Sequence, residues 1–181
     1  MTMAKQNAFN ADQLDVFARS ALSEDQISKL RWENLGDGNM LINYLNPDGT
    51  NVTCSNGKAY TRTRIGEQNR AKLAKTKKGK PAKYLSPKGE GNRVYHSHIA
   101  LSRENYQQKL NDRFIPLRIT EGELKAEAAN AYDLDCITIA LSGVTSWLDK
   151  RGGEDSSVEI PELTSINLQR REIRLAFDSD F

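Results

Sequence analysis

Long apolar runs are missing from this 181-residue chain. No segment approaches the ~20 consecutive apolar residues that a membrane-spanning helix needs. The opening residues, MTMAKQNAFNADQLD, lack the apolar stretch of a secretory signal. The sequence therefore predicts a cytoplasmic protein with no membrane partner. Cysteine is scarce: Cys54 and Cys136 are too few and too far apart for a zinc module. In a reducing compartment they are expected to be buried thiols rather than a disulfide. No internal repeat is visible. Net charge is small, +2 from 26 basic and 24 acidic residues, so partners must be read from where the charges lie.

That distribution is uneven. Arg70, Lys72, Lys75, Lys77, Lys78, Lys80, Lys83 and Lys88 crowd the middle, and acidic residues cluster near 154–159. The length fits one domain or two small ones. The rhythm of the chain changes near 99–113, which divides it into residues 1–110, a basic α+β subdomain, and residues 111–181, an α/β subdomain. In the first, residues 11–30 read as two short helices. Leu14, Phe17, Ala18 and Leu22 recur at helical spacing, and Ser23 with Gln26 fits a capping box. Residues 40–52 read as a β-hairpin about the Asn46-Pro-Asp-Gly49 turn. Residues 60–65 alternate, so Arg62 and Arg64 share one strand face. Residues 66–93 read as a mobile basic arm or irregular loop, 94–98 as a short strand, and 102–110 as a polar helix or connector.

In the second subdomain, strands are expected at 114–120, 136–141 and 172–177, with a helix at 122–132. A helical turn is expected at 144–150 and a loop or short strand at 159–166. Alternating strands and helices predict parallel β-α-β units with right-handed crossovers. Cys136-Ile-Thr-Ile-Ala-Leu141 is apolar almost throughout, as in a strand covered on both faces.

Glu121 stands where a parallel strand ends and a helix begins, the edge at which ligands of open α/β sheets gather. Gly122 lets the chain turn sharply and leaves room for a ligand. A favourable acid at a helix N-terminus accounts equally well for Glu121 alone. Asp178 and Asp180 lie two residues apart on extended chain and can point to one side. Two such carboxylates held together call for a cation or a proton, and magnesium prefers hard oxygen ligands; a solvated acidic segment is the alternative. The lysine-rich arm suits a nucleic-acid backbone, contacted without base preference, or is a solvated loop. Tyr60, Tyr84 and Tyr95 are candidates for stacking on unpaired bases. His96 and His98 alternate as two metal ligands would, without a third nearby. Trp32 and Trp147 are expected to pack.

Taken in order, Pro81-Ala-Lys83-Tyr84-Leu85-Ser86-Pro87, Tyr95, Ile119-Thr-Glu121-Gly122, Leu141-Ser-Gly143 and Phe177-Asp178-Ser-Asp180 resemble the catalytic core of bacterial replicative primases. Those enzymes carry a Lys-Tyr-Leu-Asn-Ser-Pro element in a basic subdomain, followed by a TOPRIM domain with Glu-Gly and Asp-x-Asp motifs. More closely, Thr120-Glu-Gly-Glu-Leu-Lys-Ala126 and Arg174-Leu-Ala-Phe-Asp-Ser-Asp180 resemble the TOPRIM-like domain of uncharacterised plasmid and phage proteins, often fused to a helicase. The resemblance covers residues 81–181. It implies a partial TOPRIM-like subdomain at 111–181 and nucleotidyl transfer in primer synthesis for a mobile element. Glu121, Asp178 and Asp180 would be the catalytic and metal-holding residues, with Mg2+ or Mn2+ as cofactor. Glu121 would also serve as general base. Gly122 and Gly143 would form turns beside the site. Single-stranded DNA would lie on Arg62, Arg64, Lys72, Lys75, Lys77, Lys78, Lys80, Lys83, Tyr84 and Lys88; nucleoside triphosphates and a helicase domain or subunit are the other implied partners.

Two departures stand out. Lys125 occupies the place where replicative primases usually carry an aspartate, and it is expected to pair with Glu121 or with a phosphate. The TOPRIM fold also continues past its Asp-x-Asp motif, so this chain resembles the front part of a longer protein, expected to bind magnesium weakly and to make no primers alone. A TOPRIM nuclease using the same carboxylates, or a non-catalytic DNA-binding adaptor, are the alternative functions.

Overall fold

The computed structural model describes residues 8–70, 72, 81–149, 151 and 158–178. Two four-stranded sheets organise them. The first runs β1 (Trp32–Asn34), β2 (Met40–Asn43), β3 (Thr61–Arg64) and β4 (Tyr84–Leu85), all antiparallel. The second has the order β5 (Tyr95–His96), β7 (Ile137–Leu141), β6 (Leu117–Glu121) and β8 (Ile173–Ala176). In it β6 is parallel to both β7 and β8, while β5 is antiparallel to β7. The fold is therefore mixed α/β with one partly parallel sheet, and the three strands expected from residues 114–120, 136–141 and 172–177 are parallel neighbours. Among the described residues no helix is long and apolar enough to cross a membrane.

The helices follow local signals. In α1 (Ala11–Arg19) Asn10 and Gln13 form a capping box, and in α2 (Glu24–Ser28) Ser23 and Gln26 form the one expected. Phe17 and Leu22 enter the core as their spacing predicts, but Leu14 is exposed. Gln13 takes the inward place instead, donating to Asn34 Oδ1 at 2.8 Å and Asn39 O at 2.7 Å. The 46–49 turn closes as expected, with Gly49 N donating to Asn46 O at 2.8 Å. The hairpin about it is only a bridge between Leu45 and Asn51, because β2 pairs chiefly with β3 across a longer excursion. The basic segment 66–93 contains a short helix, α3 (Glu67–Arg70), and β4. Its lysines 75, 77, 78 and 80 lie outside the described residues.

Several connections differ from expectation. His98 opens a helix, α4 (His98–Leu101), instead of ending a strand, and α5 (Tyr106–Asn111) starts later than expected. Residues 144–147 form turns without a helix, and Leu148 makes an antiparallel bridge with Glu159. Residues read as a loop or strand contain α7 (Pro161–Thr164), where Pro161 at the first helical position needs no N–H partner.

Helix α6 (Glu123–Tyr132) joins the two sheets. Its buried positions are Glu123, Ala126, Glu127 and Asn130, an inward stripe at helical spacing made mostly of polar residues. One apolar cluster takes Phe17, Trp32, Ile42 and Tyr60 from the first sheet region and Tyr95, Ala126 and Ala140 from the second. A second cluster fills the other face of the parallel sheet with Leu110, Leu117, Ile139 and Ile160. β7 is buried throughout, whereas every residue of the edge strand β8 is exposed.

Candidate metal and phosphate site

Glu121 is the last residue of β6, and Asp178 follows β8 by two residues. Thr120 pairs in register with Ala176, so both carboxylates leave the sheet at the same edge. Gly122 turns the chain into α6 with φ 86° and ψ 146°, a conformation that other residues rarely adopt. Glu121, Gly122, Glu123, Lys125, Ser142 and Asp178 then line one cavity of about 410 Å³, together with Arg62, Lys83 and Tyr84 from the first sheet. The expected pair of Glu121 and Asp178 is thus brought to one pocket. Asp180 lies outside the described residues, and among those described no three His, Cys, Asp or Glu side chains gather as a metal cluster. Lys125, expected on Glu121 or a phosphate, forms an ion pair with Asp178.

The cavity floor is a buried ion pair. Arg62 meets Glu123, with side chains 8% and 1% exposed. Tyr44 donates to the same Glu123 oxygen at 2.6 Å, and Glu123 Oε2 has no hydrogen-bond partner. Burial opposes the Arg62 charge, but Tyr44 and Glu123 more than offset it and hold the guanidinium above its ordinary pKa. The guanidinium also lies 4.7 Å from the centre of the Tyr84 ring. Sequence alone presented Arg62 as a surface contact, because an arginine alternating along a strand carries no sign of an acid 61 positions away.

Arg64 points from the same face of β3 into a second cavity, of about 580 Å³, lined also by Arg19, Arg70 and Lys83 and by the acids Asp12, Asp15 and Glu67. It is 8% exposed, and no carboxylate lies within salt-bridge distance of it among the described residues. Its Nε has no hydrogen-bond partner. Gly66 is required beside it, since a Cβ there would come within 2.7 Å of Asp37 O. Ser20, Lys83 and Leu124 line both cavities. Burial lowers the Lys83 pKa, the charges of Arg64, Arg70 and Lys125 lower it further, and Asp178 works against them. Lys72 and Lys88 are exposed and line neither cavity.

Other candidates fall in the core. Tyr60 and Tyr95 are buried, with Tyr44 edge-on between them at 5.0 and 5.1 Å, so no base reaches their faces. Tyr84, half-buried at the cavity wall, stays available. His96 Nδ1 contacts Tyr106 Oη at 2.8 Å. His98 Nδ1 accepts from Arg31 N, and its Nε2 lies 2.9 Å from Asn43 O. Burial lowers both imidazoles to about 4, and both histidines are structural. Trp32 is buried and donates to Tyr95 Oη at 2.9 Å, whereas Trp147 is 42% exposed. Both cysteines are free and buried. Gly143 opens the turn closed by Ser146 N, next to the pocket residue Ser142.

Residues 106–181 match a family described as a domain of unknown function (DUF3854). Neither the curated proteins nor the solved structures contain a match.

Proposed function

We propose that the protein is a primase-like nucleotidyltransferase of the TOPRIM type, which binds single-stranded DNA, nucleoside triphosphates and a divalent cation in replication of a mobile element. One observation carries the reading. A pocket lined by Glu121 and Asp178 and a pocket holding a buried arginine whose Nε has no hydrogen-bond partner adjoin and share Lys83. Phosphoryl chemistry needs both kinds of group: oxygens for a cation, and fixed positive charges for phosphates. The parallel strands with Glu121 and Asp178 leaving one edge support the TOPRIM-like assignment.

The residues fit magnesium or manganese. Donors at the pocket are the carboxylate oxygens of Glu121 and Asp178, and magnesium keeps several waters and needs only one or two carboxylates. Glu121 and Asp178, with Asp180, would hold the ion, which when bound would neutralise developing phosphate charge. Glu121 would accept the proton of a 3′-hydroxyl. Arg64 and Lys83 would fix phosphates, Tyr84 would stack on a base, and the arm lysines would track the template.

The test is anisotropy titration of labelled single-stranded DNA across salt concentrations. R64M and K83M, and separately alanine at Lys75, Lys77, Lys78 and Lys80, are expected to weaken binding. Each lost phosphate contact should lower the slope of log K against log salt by roughly 0.7. Unchanged affinity for all of these variants at low salt would refute the reading. DNA cleavage with metal alone would identify a nuclease, and binding indifferent to both chelator and ribonucleotides would identify an adaptor.

A further inference from the structure

Lys125 is paired with Asp178, the pocket carboxylate that follows β8. It stands one helical turn beyond Glu121, on the first turns of α6, and its Nζ forms an ion pair with Asp178 Oδ1. Both residues line the cavity that Glu121 and Gly122 also line. The pair is open to water, with side chains 43% and 65% exposed. The deeper pair is different: Arg62 and Glu123 are buried and cannot separate without leaving an uncompensated charge. The pocket therefore holds one fixed pair at its floor and one separable pair at its mouth.

We infer that Lys125 is a built-in counter-cation for Asp178, which a divalent ion must displace to bind the carboxylate pocket. This rests on the proposed role of Glu121 and Asp178 as cation ligands. A carboxylate oxygen engaged by an ammonium group cannot at once enter a metal's inner coordination sphere along the same direction. The released ammonium stays in the cavity beside Lys83, whose pKa already registers its charge. Cation entry thus exchanges a lysine–carboxylate contact for a metal–carboxylate contact and leaves a second free lysine in a pocket suited to phosphate. The lysine sets a threshold: weakly held cations do not open the pair, and phosphate contacts from Lys125 become available only once a divalent ion is present.

The experiment is Mn2+ titration of the 181-residue chain by calorimetry at low ionic strength, comparing wild type, K125M, K125R, E121Q and D178N. Exposed pairs of this kind are weak, so K125M should bind Mn2+ about three- to fivefold more tightly than wild type. K125R, which keeps the charge, should bind like wild type. Salt screens exposed pairs, so the gap between K125M and wild type should close in about 0.5 M salt. E121Q and D178N should lose Mn2+ binding. If they do but K125M binds no tighter than wild type, the counter-cation inference is wrong and the metal site stands. If E121Q and D178N bind Mn2+ like wild type, or no chain binds it, the carboxylate pocket is not a cation site and both readings fall. Circular dichroism of each variant checks folding, and substitution at the exposed Lys125 is expected to leave it intact.

Discussion

Removing the Arg62–Glu123 pair one partner at a time should cost more than removing it whole. The pair ties β3 to the start of α6, with side chains 8% and 1% exposed. R62M would leave Glu123 with the Tyr44 hydroxyl as its donor, since Oε2 already has none. E123Q would leave Arg62 with Ser86 Oγ at 3.1 Å and the face of Tyr84. Breaking a buried pair leaves an uncompensated charge and costs about 3–5 kcal/mol. R62M is expected near the upper part of that range, because the surviving carboxylate is the more buried partner. E123Q should fall nearer ~3 kcal/mol, since its amide oxygen can still accept from Tyr44. The double variant R62M/E123M leaves only the Tyr44 hydroxyl unpaired, at about 1–3 kcal/mol. With E123M, which loses every acceptor and should cost at least as much as E123Q, as the second single variant of the cycle, the coupling between the two sites is then roughly 3 kcal/mol or more, beyond the range in which distant substitutions simply add. Urea unfolding followed by circular dichroism reads it directly. With a slope of about 2 kcal/mol per molar urea, R62M should move the midpoint down by roughly 2 M. Single variants costing under ~1 kcal/mol, or a double variant equal to their sum, would show that the pair is not desolvated as described.

Acid should destabilise the fold between pH 6.5 and about 4. His96 and His98 are held near 4 in the folded chain, against 6.5 for the free group, so the unfolded chain takes up protons first. The stability they contribute is complete above pH 6.5 and is lost as pH falls toward 4, at up to about 1.4 kcal/mol per pH unit for each. Glu127, raised by burial against the pull of its four donors, acts in the opposite direction as it gains its proton. H98Q should flatten the acid limb measured by urea midpoints from pH 7 to 4.5; an unchanged limb would refute the assignment. G122A should cost about 1–3 kcal/mol through backbone strain alone, because nothing lies within 4 Å of the added Cβ, and it should weaken Mn2+ binding by displacing Glu121. A variant as stable as wild type would show that the turn tolerates a side chain.

The parallel strands and α6 were legible because their signals are local. Apolar runs, a Glu-Gly turn and an alanine-rich segment each state their element without reference to distant residues. The same locality led to Glu121 and Asp178 as pocket partners, since strand order follows from β-α-β connection rules. What stayed hidden depends on long-range pairing. Glu123 and Glu127 look like solvated helix residues, yet Glu127 is fully buried and accepts from Tyr95 Oη, Ser97 Oγ, and the amides of His98 and Ile99. A signal was present: Glu123, Ala126, Glu127 and Asn130 carry helical spacing. Period analysis counts apolar residues, so a stripe of acids and amides passes unseen. Gln13 replaced Leu14 in the core for the same reason, its amide being satisfied by groups that come together only on folding. Tyr60 and Tyr95 erred the other way, since their rings close a core that the sequence does not outline.

Residues 121–127 alternate between two duties. Glu121 and Lys125 are open to the cavity, while Glu123 is buried at its floor against Arg62 and Glu127 is sealed into the joint between sheets. Successive helical residues are rotated by about 100°, so inserting or deleting a single residue here would exchange the roles. A pocket acid would be forced inside without a partner, and a joint acid would swing out and abandon Arg62 or the 95–99 segment. Point substitutions can adjust this stretch, but changes of length cannot. The two turns of the excursion between β2 and β3, at Gly49 and Gly57 with nothing within 4 Å of a Cβ at either, have no such constraint. Length variation among related chains should therefore gather at those two turns and stop short of the seven residues that are at once site and hinge-pin.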